Sequence, residues 1–540
     1  MGVAAVTVVA VGFADSSHGP TLQNVATANP RAAGYAPASR LSAQLQRVQW
    51  AQGSDLLENP ADIITNFGYE NDTPSATNPA FPQMVPLTAS RTEAQKTEPD
   101  KNTYLNFKRG LSGPDRTYDY GSRFVFQGHE NAATGADGRK RGYITRVNLD
   151  ADAQHRITLM ATQDTTGAPI DTIDGSTWDP FAQRLLFTTE SQTKPTYAAT
   201  PDYPSTVEDV SGALGRGGYE GIQDDSDGNI WIVEDIGGAN KPGTTAARQP
   251  NSFVYRYVPR RPGDLHNGKL QVLQVLNLAG QPITYESQSQ LNAPDQVLDH
   301  SYGHSLDTNW VTIHDTATDG SAPFNANTLA KAAHGTPFKR PENGLFRPGT
   351  KFREFYFDET GDTNANSEEN NTAGGWGVVQ KLTQRDPSDD HGKLSLFYYG
   401  DQSHSGFDNN AWLSRDKITF VEDAGDGLHQ QRNALDSGWV LDADTDYSNS
   451  SNQPVRWLAQ GRDPSATIDA DNNYGKNDGD NELTGVHVSD GDPTVRGILG
   501  AKVPTLWRDG WRWFYTDQHG DNRLWEVIPA VAMNLTGSYR

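Results

Sequence analysis

Carboxylates placed just after short apolar runs are the residues in this chain whose type and spacing could do chemistry. Arg123-Phe124-Val125-Phe126 leads to Gly128-His129-Glu130, and Leu185-Leu186-Phe187-Thr188-Thr189 ends at Glu190. Ile230-Trp231-Ile232-Val233 ends at Glu234-Asp235, and Phe355-Tyr356-Phe357 ends at Asp358-Glu359. Ile418-Thr419-Phe420-Val421 ends at Glu422-Asp423, and Trp513-Phe514-Tyr515-Thr516 ends at Asp517. Carboxylates gathered at one place repel one another unless cations sit among them. Any single copy reads more simply as an acidic residue leaving a strand for a turn. Six copies in one chain favour a metal-holding ring.

The chain has no cysteine, so it has neither disulfides nor thiolate ligands. A metal would be held by carboxylates, carbonyls or histidine, which suits hard cations such as Ca²⁺. Other chemistries find no support. There is no Gly-x-Ser-x-Gly elbow, no Walker A loop and no His-Glu-x-x-His helix. The loops Asp358–Glu369 and Asp471–Glu482 carry acids at both ends but lack the central glycine of an EF-hand, so they are solvated loops or irregular Ca²⁺ ligands. The formal charge of −23 argues against a nucleic-acid partner. It leaves open a self-repelling soluble surface and an acidity partly neutralised by bound cations.

The elements that would position these carboxylates are strands. Short β-branched and aromatic runs dominate, bounded by Gly, Asp, Asn and Pro. Asp227-Gly228-Asn229 precedes Ile230, and Asp179-Pro180 precedes Leu185, as turns do in hairpins. Hairpin units at spacings of about 44 to about 125 residues predict an all-β fold, a six-bladed β-propeller with long inserted loops. A seventh blade has room in the gap between Asp235 and Asp358. If the acid-ended runs are the innermost strands, their carboxylates meet at one mouth of the central channel. Trp231 and Trp513 are expected in the core.

Residues 56–540 read as a single propeller domain. Val3 to Ala14 form a small apolar stretch like a signal-peptide core, and residues up to about 55 read as a leader and a loose arm. No later stretch is apolar enough to span a bilayer. These features predict a secreted or periplasmic protein with no integral membrane segment, acting as a monomer.

Several segments resemble PhoX-type alkaline phosphatases in sequence order. Thr336-Pro337-Phe338-Lys339-Arg340-Pro341-Glu342 resembles the family's Arg-Pro-Glu motif. Gly215-Arg216-Gly217-Gly218-Tyr219-Glu220-Gly221, running on to Ile230–Asp235, resembles its His-Glu segment and following strand. Thr177-Trp178-Asp179-Pro180 running to Glu190, Asn481-Glu482-Leu483-Thr484-Gly485, and Asp517-Gln518-His519-Gly520 are similar to further segments. The resemblance implies a six-bladed propeller that holds Fe³⁺ and Ca²⁺ and cleaves small phosphate monoesters, with diesters as an extension. It implies that Glu220 and Glu342 are iron-site ligands, that Arg340 clamps the phosphate, and that Glu190 is a cluster carboxylate. Together with the strand-end pattern, the expected catalytic residues are Arg340 and Glu342. The expected metal ligands are Glu190, Glu220, Asp235, Glu342, Asp423 and Glu482. Two positions depart from the family: Ile173-Asp174-Gly175-Ser176-Thr177 stands where it has a cysteine, and Tyr219 where it has a histidine. Asp174 as a hard replacement ligand favours Ca²⁺ or another metal over iron. Two other readings stand beside this one: a Ca²⁺-dependent phytase-like or lactonase propeller, and a non-catalytic binding module.

Overall fold

The six apolar runs are strands, at Arg123–Gln127, Arg184–Phe187, Ile230–Glu234, Glu354–Glu359, Lys417–Glu422 and Arg512–Gln518. They belong to a computed structural model that describes residues 19–27, 38–53, 55–61, 64–68, 97–131, 133–134, 140–240, 248–285, 293–362, 374–461, 482–518 and 522–530. The runs are apolar throughout, rather than alternating, because both faces of each strand are covered. Ile230 and Ile232 pack with Leu186 and Ala198 of the preceding unit. Trp231 and Val233 pack with Phe346, Phe355 and Phe357 of the following one. The Trp231 ring lies 4.8 Å from that of Phe355. Trp231 and Trp513 are both buried, as expected.

Each run is the second strand of an antiparallel blade. The inner strands are Thr103–Asn106, Ser176–Asp179, Tyr219–Asp224, Pro341–Phe346, Phe407–Trp412 and Glu482–Ser489. Each inner strand touches the next in this order, and the last touches the first. The ring is therefore closed, with six blades, and the all-β propeller is as expected. The placing of the acid-ended runs on the innermost strands is not: those runs stand one strand further out.

Among the described residues, the long gap between Asp235 and Asp358 holds no extra blade. It contains the two outer strands of blade 3, Val254–Pro259 and Gly268–Val275, and then a bridging strand, Leu306–Asp315. That strand bonds to blade 3 on one side and to His391–Tyr399 of blade 4 on the other. Blades 3 and 4 thus share one nine-stranded sheet, so five sheets make the six blades.

Part of the stretch read as a loose arm is also strand. Leu45–Ala51 is the outermost strand of blade 6, paired from Leu45↔Pro529 to Ala51↔Leu524. Arg40–Leu41 extends blade 5. The segment escapes notice because an outermost strand has one covered face and needs little apolar character: Arg47 lies over the Trp525 ring at 4.0 Å, cation above aromatic. The leader-like residues 1–18 lie outside the described residues. Among the described residues no helix is long and apolar enough to cross a membrane.

Candidate metal centre

Neighbouring strands in a blade are antiparallel, so inner strands begin where second strands end. Tyr219 faces Glu234, Pro341 faces Glu359, Phe407 faces Glu422, and Glu482 faces Gln518. Two sets of carboxylates therefore share one mouth. The inner strands bring Glu220, Glu342, Asp408 and Glu482, and the segments entering Thr103 and Ser176 bring Asp100 and Asp174. That is one carboxylate per blade. In blades 3, 4 and 5 the ladder slips beside this acid, between Tyr219 and Ile222, Pro341 and Gly344, and Phe407 and Asn410. A bulge of this kind re-aims a side chain out of the regular pleat. The inner strands also approach closely here. A Cβ on Gly221 would lie 2.8 Å from the Glu342 carbonyl oxygen, and one on Gly175 would lie 2.0 Å from that of Glu220.

Carboxylate oxygens of Asp100, Asp174 and Glu220 lie within 4.8 Å of one another, and so do those of Glu220, Glu342 and Asp408. Glu190, Glu220 and Asp235 form a third such group, and Glu130, Asp174 and Glu190 a fourth. Asp174 Oδ1, Glu342 Oε1 and Asp408 Oδ2 are buried without a hydrogen-bond partner. Burial is the first cause that raises these carboxyls above their usual range, and neighbouring charge adds to it. Asp174 is raised further by Asp100, Glu220 by Asp174, Glu342 by Asp235, Asp408 by Asp100, and Glu482 by Asp423. Asp100 is pushed up to about 6 by burial, against hydrogen bonds from Thr484 and Gln518. Glu190 is exposed as a residue at the rim, yet enclosure of its carboxyl and then Asp235 push it up to about 8. Crowded carboxylates with unpartnered oxygens are a donor set that fits hard cations. These four groups contain no histidine or cysteine.

Arg340 and Lys101 border the ring. Arg340 donates from Nε and Nη2 to the two oxygens of Asp235, at 2.7 Å each, and its Nη2 lies 3.4 Å from Glu342 Oε1. Its backbone is left-handed at φ 58°, a conformation that costs a non-glycine residue about 1–3 kcal/mol. Lys101 is buried and donates to Asn409 Oδ1 at 3.2 Å and to the Val486 carbonyl at 3.4 Å. Asp408, Asp100, Asp358 and Glu220 are its charged neighbours.

The structure brings the expected site residues together. Glu190, Glu220, Asp235 and Glu342 fall in the groups above, and Asp423 and Glu482 are charge neighbours of each other and of Asp408. Asp235 gives both oxygens to Arg340, so it orients the guanidinium besides facing Glu190 and Glu220. Asp517 does not reach the ring, although it ends an apolar run. It accepts from Arg523, Trp525 and Gln460. Glu234, Glu359 and Glu422 likewise serve their own blades: Glu234 accepts from Phe253 N and the Tyr255 hydroxyl, and Glu422 from Arg432 and Trp439. The reason is positional. The residue ending the ladder lies between blades, where backbone donors need an acceptor. The next residue has left the ladder, as when Asp235 N donates to Gly218 O and Asp423 N to Gly406 O.

Sequence reading passed over Asp100 and Asp408. Asp408 had a usable signal, because Phe407-Asp408-Asn409 repeats the form of Tyr219-Glu220-Gly221 and Pro341-Glu342-Asn343, an acid followed by a bulge-forming Gly or Asn. Asp174, at the family's cysteine position, does join the cluster. Tyr219, at its histidine position, is buried in the core and donates to Leu214 O at 2.7 Å. Of the two acid-rich loops, residues 363–369 and 471–481 lie outside the described residues, as do His519 and Gly520 of the last family-like segment.

Residues 244–489 match the family model described as alkaline phosphatase PhoX. That stretch holds Arg340, Glu342, Asp408, Asp423 and Glu482; Asp100, Asp174, Glu190, Glu220 and Asp235 precede it. Among solved structures, Pseudomonas fluorescens PhoX in complex with vanadate, a transition state analogue, shares 10% identity with this chain at a TM-score of 0.53. The likeness covers 94% of this chain and 98% of that one, and it is one of fold. The periplasmic gluconolactonase PpgL of Pseudomonas aeruginosa is a looser likeness, with 13% identity and a TM-score of 0.31 over 90% of this chain and 98% of that one. No curated protein matches the chain in sequence.

Proposed function

We propose that this PhoX-like chain is a metal-dependent phosphatase that hydrolyses small phosphate monoesters, with diesters as an extension, at the carboxylate ring. One observation carries the reading: every blade delivers one carboxylate to the same mouth, some of their oxygens have no hydrogen-bond partner, and an arginine pairs with two of the surrounding acids.

Phosphate-monoester hydrolysis is among the slowest of uncatalysed reactions, with rate enhancements up to about 10²¹-fold. A bound metal cluster would supply activation of water and would neutralise phosphoryl charge. The chain's own residues do the rest. Glu190, Glu220, Asp235, Glu342, Asp423 and Glu482, joined by Asp100, Asp174 and Asp408, hold the cations. Arg340 presents its planar fork to two phosphoryl oxygens, as guanidinium groups do. Asp235 accepts from Nε and Nη2 and so fixes the plane of the guanidinium. Glu220, Glu342, Asp408 and Glu482 stand on the inner strands themselves, so that part of the ring keeps its shape between turnovers.

Ca²⁺ is the metal this oxygen-only set suits best, since Asp174 supplies a hard donor where the family has a soft one. Fe³⁺ rests on the resemblance alone. The leader-like residues 3–14 support an exported protein, periplasmic or extracellular. The acidity of the chain disfavours nucleic acid as a partner, and a monomer suffices for a site built within one ring.

The test is elemental analysis of protein purified without chelator, together with hydrolysis of p-nitrophenyl phosphate. Calcium bound in more than one equivalent, with turnover abolished by EDTA and lost together with metal in Glu342→Gln, supports the proposal. Metal-free protein, or turnover indifferent to EDTA, refutes it.

A further inference from the structure

We propose that Lys339, with Asp362 as its counter-charge, and Glu359, with His300 behind it, are positioning residues that hold the Arg340 turn. This rests on the reading that Arg340 binds the phosphoryl group. Arg340 has left-handed backbone, so something must keep it there. Three backbone contacts bracket it. Lys339 N donates to Glu359 Oε2 at 2.7 Å, Thr360 N to Arg340 O at 2.8 Å, and Gly361 N to Lys339 O at 3.2 Å. The turn is thus pinned to the continuation of the second strand of blade 4.

Two buried ionic groups stiffen the pins. Lys339 Nζ donates to both oxygens of Asp362, at 3.2 Å each, and neither side chain exceeds 1% exposure. Asp362 also accepts from Arg248 N at 3.1 Å. Glu359 accepts from His300 Nε2 and from Gln380 Nε2, at 3.1 Å each. His300 Nδ1 lies 2.7 Å from Asp299 Oδ1 and 2.8 Å from Gln296 O. None of these side chains falls in the carboxylate groups at the mouth. A buried ion pair adds little stability over well-packed apolar side chains, so two of them beside one strained arginine suit alignment better than bulk stability. Their effect on the reaction passes through Arg340.

The experiment is a double-mutant cycle with a structure at its end. Lys339→Met and Asp362→Asn are each made in the parent and in an Arg340→Ala background. Metal content, kcat and KM, and the inhibition constant for inorganic phosphate are measured on the metal-loaded full chain. Expected in the parent background is an inhibition constant weakened about tenfold or more at unchanged metal content, with recovery in Lys339→Arg; in the Arg340→Ala background the same changes cost nothing further, as for residues acting as one unit. Equal losses in both backgrounds overturn the proposal. Asp362→Asn keeps the side-chain volume and serves if Lys339→Met does not fold. A crystal structure of whichever variant folds reads the geometry without any activity. Arg340 displaced from Asp235 supports the proposal even if the parent proves not to be a phosphatase, and Arg340 unmoved overturns it even if the parent is one.

Discussion

Calcium entering the stripped ring should drive protons out. Asp100 is raised to about 6 by burial, so at about pH 5 it is roughly 90% protonated, and at about pH 8 it is ionised. Giving up that one proton weakens apparent Ca²⁺ affinity about tenfold between the two conditions, ~1.4 kcal/mol. Glu190, raised to about 8, and the five other raised carboxyls of the ring, Asp174, Glu220, Glu342, Asp408 and Glu482, push the same way. The sign follows from linkage. A carboxyl whose folded pKa is raised lends stability that is present below its ordinary range and lost as pH climbs through the folded value. The stripped ring therefore destabilises the fold with rising pH, while the loaded ring stabilises it. His300, raised by Glu359 and Asp299 despite its burial, weakens both forms as pH rises. His129 and His487, lowered to about 3 mainly by burial, weaken both as pH falls below the usual histidine range. The difference between loaded and stripped protein isolates the ring. Calorimetric Ca²⁺ titration of chelator-stripped protein, in buffers of different ionisation enthalpy, measures affinity and proton release together. An affinity that does not change over this range, with no proton released, would refute the reasoning.

Three further outcomes follow from individual residues. Arg340→Lys keeps the charge and loses the fork, so p-nitrophenyl phosphate turnover should fall 10- to 100-fold, about what losing a charged hydrogen bond of roughly 1.5–3 kcal/mol gives, at unchanged metal content; normal kinetics would place Arg340 in a surface role. Asp517→Asn should leave bound calcium intact yet lower stability by about 3–5 kcal/mol, because it removes the buried charge to which Arg523 and Trp525 donate; chemical denaturation beside metal analysis checks both halves. Lys101→Met removes a positive charge from among Asp408, Asp100, Asp358 and Glu220. The stripped protein should then melt lower and bind Ca²⁺ more tightly, and a weaker affinity would sink the reading of Lys101 as a built-in cation.

Much of the fold was legible because blades have a period. Strands covered on both faces read as unbroken apolar runs, and six of them with turns between gave the propeller. The same clarity misled about depth. The most apolar strand of a blade is the second, sealed between neighbours. The inner strand lines a polar channel and is written in Glu, Asp, Gly and Asn. The acid-ended runs therefore pointed to the right mouth from one strand too far out. Glu220 and Glu342 came from the family-like segments, whereas Asp100 lies before its strand, where no local pattern marks it. Leu45–Ala51 could not be read as strand because its partner lies at the other end of the chain.

That pairing has a consequence for how the protein comes into being. During synthesis Leu45–Ala51 waits for Arg523–Pro529 with its edge open, the condition in which strands join the wrong partners. Until the last blade docks, Glu482 cannot stand near Asp100, and the circle of ligands is an open arc. On the proposed reading, the complete set of ligands forms only with the arrival of the C-terminal strands. A chain cut short by a few dozen residues would leave the circle open, even though every proposed ligand had already been made.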